Sequence, residues 1–195
     1  MPPDSQRLYE LAEGQGGYFS ASQAHELGFG GDLISYHAKR GNFLRAARGV
    51  YRLRRFPASP FEDLIVACLR AGPEAAVSHE TALVVYGLSD LMPAQIHLIV
   101  PRAKSRRLKG LKLHRHRLEE GEVTRRDGVQ VTTPIRTLLD VAAAGVTEDQ
   151  VTQAVQEALQ RGLVQRNELF TAARSRGGRA RKVIERALTM VRTAT

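Results

Sequence analysis

The sequence predicts an α+β chain. An N-terminal winged helix-turn-helix domain, residues 1–57, is followed by a mixed α/β C-terminal domain, residues 61–195, with a small sheet and a helical end. Three observations carry this. Two short helical segments are split by Gly28-Phe29-Gly30-Gly31 and run at once into a basic hairpin closed by Arg48-Gly49. Alternating stretches between Gln95 and Thr132 are bounded by turn residues. From Thr133 onward, apolar residues recur at helical spacing.

Leu8, Leu11 and Ala12 sit at helical spacing within Ser5–Glu13, and Gly14-Gln15-Gly16-Gly17 stops that helix. Ser20-Ala-Ser-Gln23 is a capping box, in which the serine hydroxyl and the glutamine amide satisfy each other's backbone N–H. It opens a second helix that Gly28 ends. Asp32 is expected to cap the third, Leu33–Arg40, which Gly41 stops. Strands Leu44–Ala47 and Val50–Leu53 flank the Arg48-Gly49 turn. Phe56-Pro57-Ala-Ser-Pro60 reads as a linker stiffened by its prolines.

An apolar helix, Phe61–Ala71, ends at Gly72-Pro73, and Ser78 is placed to cap His79–Tyr86. Strands follow at Gln95–Val100 and Lys112–Arg117. Glu122–Arg125 and Val129–Thr132 flank Asp127-Gly128, a two-residue hairpin turn. Thr133-Pro134 supplies a cap and a proline at the first helical position for Ile135–Ala144. Thr147-x-x-Gln150 opens a helix to about Arg161. Asn167–Arg174 and Ala180–Val191 complete the chain. The stripe Val183, Ile184, Ala187, Leu188 and Val191 is read as core.

With 195 residues and 43% hydrophobic content, the chain can bury substantial cores. Its net charge of +9 points to a polyanionic partner. The single cysteine, Cys68, excludes an internal disulfide framework and a cysteine-rich zinc site. It lies in an apolar run and reads as a buried small hydrophobe. The N-terminus lacks the apolar stretch of a signal peptide, and no apolar run is long enough to span a bilayer. A cytoplasmic protein without membrane contact is expected.

Charge placement is more specific than total charge. From Asp32 to Pro57 there are seven basic residues against one acid. In a helix-turn-helix the second helix enters the major groove. On Leu33–Arg40, Ile34, His37 and Ala38 fall on the inward face, while Ser35, Tyr36, Lys39 and Arg40 fall on the other. Ser35 and Tyr36 suit base edges or phosphate, and Lys39 and Arg40 suit phosphate or guanine. Arg45, Arg48, Arg52 and Arg54 line the wing, with Arg55 at its exit. The expected partner is double-stranded DNA. The alternative is a winged helix that docks on a protein and involves no specific DNA.

Four segments then point to a family: Gly49-Val-Tyr-Arg52; Ser78-His-Glu-Thr-Ala-Leu83 with Tyr86-Gly-Leu88; Ile96-His-Leu-Ile-Val-Pro101; and Val131-Thr-Thr-Pro-Ile-Arg-Thr-Leu-Leu-Asp140. In this order they resemble AbiEi-type antitoxins of type IV toxin–antitoxin systems, over nearly the whole chain. The resemblance implies a winged helix that binds inverted repeats in its own promoter and represses the operon. It also implies a C-terminal domain that counteracts a nucleotidyltransferase toxin. It places DNA contact on Ser35 to Arg40 and Arg45 to Arg54. The remaining motif residues have structural readings: Ser78 and Thr133 as caps, Leu138 and Leu139 as core, and His79 and Glu80 in a first helical turn, with a functional role as the alternative for these last two. Related proteins that end in a nuclease carry an acidic catalytic tail. Here residues 174–195 hold one acid, Glu185.

Two further basic clusters form a possible second surface. Residues 102–117 contain eight basic residues and no acid, among them Arg102, Lys104, Arg106 and Arg107. Arg179, Arg181 and Lys182 form the other. Phosphate, RNA or an acidic toxin are the candidate ligands. His114-x-His116 puts two imidazoles on one strand face, but no cysteine or third histidine is near in sequence, so no metal site is expected. With no nucleophile set, P-loop, dinucleotide fingerprint or HExxH in the sequence, neither an enzyme nor a cofactor is expected.

Overall fold

The computed structural model describes residues 2–90, 92–101 and 109–193. Helix α1 (Ser5–Glu13) is capped by the Asp4 carboxylate, which accepts from the Arg7 N–H. The glycine run after it leads into strand β1 (Tyr18–Ser20), which the sequence reading lacked. Three residues are too few to show alternation, and Ser20 doubles as the cap of the next helix.

That helix, α2 (Ala21–Glu26), carries the full capping box: Ser20 Oγ accepts from Gln23 N–H and Gln23 Oε1 accepts from Ser20 N–H. Helix α3 (Gly31–Lys39) begins earlier than expected. Its N-cap is Gly30, with no side-chain cap, so Asp32 lies inside the first turn. There its charge favours the positive end of the helix dipole instead of capping it. Strands β2 (Phe43–Ala47) and β3 (Val50–Leu53) form the wing hairpin. The sheet order is β1-β3-β2, antiparallel throughout.

Helix α4 (Glu62–Ala71) packs across the far face of that sheet. Strand β4 (Ala76–Val77), helix α5 (His79–Tyr86), and strands β5 (Ile96–Val100), β6 (Leu111–Arg115), β7 (Val123–Arg126) and β8 (Val129–Thr132) follow. They build a mixed five-stranded sheet, β6-β5-β4-β8-β7, in which β4/β8 and β5/β6 are parallel. Strand β6 ends at Arg115, so His116 lies beyond it. Helices α6 (Pro134–Ala144), α7 (Glu148–Gln160), α8 (Arg166–Arg176) and α9 (Gly178–Thr193) form the helical end. Among the described residues no helix is long and apolar enough to cross a membrane.

Two expected caps act differently. Ser78 and Thr133 occupy N-cap positions, but neither side chain bonds the helix backbone. Ser78 Oγ instead meets His79 Nδ1 at 2.9 Å. Thr147 does cap α7, accepting from Gln150 N–H.

Two apolar cores share the three-stranded sheet. The smaller gathers Leu8, Ala12, Phe19, Ala24, Phe29, Ile34 and Phe43 between the first three helices and the sheet. The larger spans α4 to α9 and includes Tyr18. Cys68 lies in it, its thiol pushed up to about 12 by burial and therefore unreactive. On α9, Val183, Ile184, Ala187 and Leu188 of the stripe are buried, and Val191 at its end is only partly so.

Phe56 and its neighbours do not form a free linker. The Phe56 ring lies 5.5 Å from that of Tyr9, Arg52 Nη1 donates to the Phe56 carbonyl, and Ser59 N–H donates to Tyr18 Oη. Tyr18 Oη in turn donates to Glu62 at 2.5 Å.

A buried ion network holds the start of α6. Arg136, 4% exposed, bonds Asp140 through Nε at 2.9 Å and Glu122 through Nη1 at 2.7 Å. Arg176 reaches the same Asp140 at 3.0 Å. Each charge has an opposite partner, the condition for tolerating burial.

The turn Asp127-Gly128 has φ of 49° and 82°, the doubly positive geometry of a type I′ hairpin. A Cβ on Gly128 would stand 2.7 Å from the Gly16 backbone nitrogen, so this turn is pressed against the end of the first helical unit. Gly121, with φ of +84°, faces open space. Gly128→Ala is therefore expected to cost at least about 2 kcal/mol, left-handed strain plus a backbone clash, and Gly121→Ala only about 1. Urea midpoints of the two variants check this; equal losses would refute the close approach.

Candidate nucleic-acid interface

Helix α3 is held against the small core by Ile34, 3% exposed, and by His37, whose ring stacks on Phe43 at 4.7 Å. Asn42 Nδ2 lies 3.3 Å from His37 Nδ1 and fixes that ring further. This anchoring turns the opposite face outward, and Ser35, Tyr36, Lys39 and Arg40 are all exposed. Tyr36 is 49% exposed, and the Arg40 guanidinium lies 5.1 Å from its ring centroid. The pair forms a flat cationic and aromatic surface beside Lys39.

The wing stands next to this helix. Arg45 is exposed on β2, just before an irregularity between Arg45 and Ala47. Arg48 is exposed at the tip beside Gly49, whose φ of +74° makes the turn. The Gly49 carbonyl accepts from Ala21 N–H at 2.8 Å, so the tip is tied to the start of α2. The Arg54 guanidinium is positioned 3.3 Å from where a Cβ on Gly41 would be, which brings it to the C-terminal end of α3.

Arg52 stands apart from this group. Its neighbour across the sheet is Tyr18, its guanidinium lies 5.9 Å from the Tyr18 ring, and it donates to the Phe56 carbonyl. Strand alternation explains the placement: Arg45 and Tyr51 pair on one sheet face, and Leu44 and Arg52 pair on the other. Arg52 fastens the sheet to the second core.

The tip also borders a cleft of about 1090 Å³. Ser20 to Gln23, Arg48 and Gly49 line one side, and Arg70 to Pro73, Val100 and Leu113 the other.

Of the second basic surface, Arg102, Lys104, Arg106 and Arg107 lie outside the described residues. Arg179 is exposed and its Nε donates to the Ala142 carbonyl at 3.1 Å. Arg181 pairs with Glu185 at 2.9 Å, one turn along α9. Lys182 is exposed. Two of these three cations thus bond within the helical end.

Sequence reasoning missed a histidine cluster. His114 does not pair with His116, which is exposed beyond β6. It meets His79 and His97, and one ring nitrogen from each of the three lies within 4.8 Å of the others. His79 stacks on His114 with centroids 3.5 Å apart. The three sit on α5, β5 and β6, each about a strand or helix apart in sequence, so no local spacing reveals them. The one signal was the parallel pairing of two strands that each carry a histidine. Burial is the largest cause of lowered basicity for all three. It acts with the neighbouring imidazoles and Arg136 to bring His79 down to about 2. Burial, His97, Lys112 and His116 bring His114 to about 4. His97 is lowered by burial and Lys112, against the opposing pull of Glu80.

Two family models match the chain. One, described as a transcriptional regulator, AbiEi antitoxin, matches residues 6–54. The other, described as the AbiEi antitoxin C-terminal domain, matches residues 74–190. Among solved structures, the chain is similar to the RV2827C protein from Mycobacterium tuberculosis, with a TM-score of 0.55 and 14% identity. The match covers 96% of this chain and 76% of that one. At this identity the likeness is one of fold. No curated protein matches.

The depressed histidines make stability pH-dependent. Below an ordinary value of 6.5 the unfolded chain takes up protons that the folded chain refuses. The stabilisation is therefore complete above pH 6.5 and is lost as pH falls toward 4. Between pH 7 and pH 5, His114 alone should account for a loss on the order of 2 kcal/mol. His114→Gln should flatten the fall in urea midpoint over that interval; an unchanged slope would count against a neutral, buried imidazole there.

Proposed function

The chain belongs to the AbiEi antitoxin family, and from that membership we propose that it is a DNA-binding autorepressor which also counteracts a nucleotidyltransferase toxin. The family supplies the antitoxin and regulator roles. The finer reading rests on one observation: the exposed face of α3, Ser35, Tyr36, Lys39 and Arg40, lies beside a wing that presents Arg45, Arg48 and Arg54.

In this reading residues 1–57 carry DNA contact and residues 61–195 carry toxin antagonism, in the cytoplasm, without enzymatic activity or a cofactor for either role. Helix α3 enters the major groove. Ser35 and Tyr36, nearer its N-terminus, meet base edges. Lys39, Arg40 and Arg54, gathered at its C-terminal end, neutralise phosphates. Arg48 at the wing tip reaches phosphate or the adjoining minor groove, where a narrow A·T tract attracts arginine. An inverted repeat is met by two copies, one on each half-site. Arg52 is excluded, because its guanidinium is committed to Phe56 and Tyr18.

The test is titration of the promoter duplex at several salt concentrations. Lys39→Ala and Arg48→Ala should weaken binding and each lower the slope of log K against log salt by about 0.9. Arg52→Ala should lower the unfolding midpoint and leave the slope alone. Wild-type binding by both Lys39 and Arg48 variants would overturn the interface. Absence of salt-sensitive promoter binding, together with stable co-purification with the neighbouring toxin, would favour a neutraliser that acts by direct contact.

A further inference from the structure

The geometry points to a transition-metal site of the zinc class formed by His79, His97 and His114. The antitoxin reading makes no use of these residues, and the inference stands apart from it. Three elements deliver the imidazoles: the first turn of α5, the start of β5 and the edge strand β6. One nitrogen from each lies within 4.8 Å of the other two. His79 and His97 are each 5% exposed, and His114 is half-buried.

Three uncharged imidazoles packed together are a costly arrangement unless something accepts their lone pairs. Among the described residues, His114 Nε2 is buried without a hydrogen-bond partner. His97 Nδ1 lies 2.9 Å from Glu80 Oε2. That side-by-side placement supplies a carboxylate next to the site, the usual companion of a metal-bound histidine. Ser78 Oγ occupies Nδ1 of His79, so Nε2 is the nitrogen that this ring has to offer an ion. The His79 backbone is held at φ of 53°, a conformation rare outside glycine, and it aims that ring at His114. The low basicity of His79 and His114 keeps both rings as neutral ligands.

An all-imidazole set with one carboxylate beside it selects zinc, cobalt, nickel or copper over magnesium or calcium. Two nitrogens at about 2.0–2.1 Å from a tetrahedral ion stand about 3.3 Å apart. The stacked His79 and His114 rings therefore tilt on binding, so that their nitrogens converge. The ion would pin edge strand β6 to α5.

The experiment uses the untagged full chain with Co²⁺ as the probe and Zn²⁺ as competitor. Wild type is expected to bind one Co²⁺ per chain, show an intense visible ligand-field band, lose it to Zn²⁺ and unfold at higher temperature with metal. His97→Ala and His114→Gln should abolish it at metal concentrations that saturate wild type. Glu80→Gln should weaken binding about 10–100-fold. His116→Ala, an exposed substitution, should bind as wild type does. Circular dichroism identifies a variant that fails to fold; the folded His114→Gln chain then decides. No band and no thermal shift in wild type, or a full band in folded His114→Gln, overturns the site.

Discussion

Two adjacent side chains on one short strand hold the molecule together. Tyr18 and Phe19 are both fully buried, and strand alternation sends them to opposite faces of the three-stranded sheet. Phe19 enters the small core under the helix-turn-helix, stacking with Tyr51 and meeting Phe43 edge-on. Tyr18 enters the large core, and its hydroxyl binds both Glu62 and the Ser59 N–H at the start of α4. A sheet with an apolar core on each face behaves as an internal layer. Burying two aromatic rings back to back contributes several kcal/mol, a large share of what a domain of this size has to spare. The wing inherits its stiffness from this: β3 pairs with β1 from Val50 to Arg52 and with β2 on its other edge, so the hairpin rests on a strand fixed from both sides.

The sequence shows elements whose signals are local. The Ser20–Gln23 capping box, the Asp127-Gly128 turn and the α9 stripe each lie within a few residues, and each forms as read. Strands β1 and β4 escaped notice because three and two residues cannot display a period. The wing arginines could be counted but not sorted. Alternation sends Arg45 and Arg52 to opposite faces, and which face meets the second core is a tertiary fact. The same limit explains the histidines. His97 and His114 are neighbouring strands apart rather than residues apart, and His116, the apparent partner of His114, is removed when β6 stops at Arg115.

The net charge of +9 overstates the free positive surface. Acids are scarce, and several arginines satisfy carbonyls that helix ends leave unpaired. Arg161 donates to the Tyr86 and Gly87 carbonyls at the end of α5, and Arg179 to Ala142 near the end of α6. Arg166 reaches the Leu188 carbonyl from one helix to another. Arg136 and Arg176 are committed to Asp140. These cations bind protein before any polyanion. What distinguishes the α3 face is therefore the outward commitment of Lys39, Arg40 and Arg48, not the number of its charges.

Under the proposed function, the layered arrangement also sets which side of the molecule would meet DNA. Helix α3 packs on β2 from the small-core side, and α4 covers the other face of the same sheet. The large domain therefore sits behind the sheet, away from the exposed face of α3. Two copies on an inverted repeat would bring their reading helices to the duplex while each large domain stays on the far side of its own sheet. The prolines at 57 and 60 do not set this geometry. It is set by Tyr18 Oη, Glu62 and the Gly16–Gly128 approach, all of which would have to break before the large domain could swing toward DNA. Under the proposed function, an antitoxin surface on the part of that domain turned away from the wing would stay accessible on an occupied operator, and repression and toxin antagonism would not compete for the same molecule.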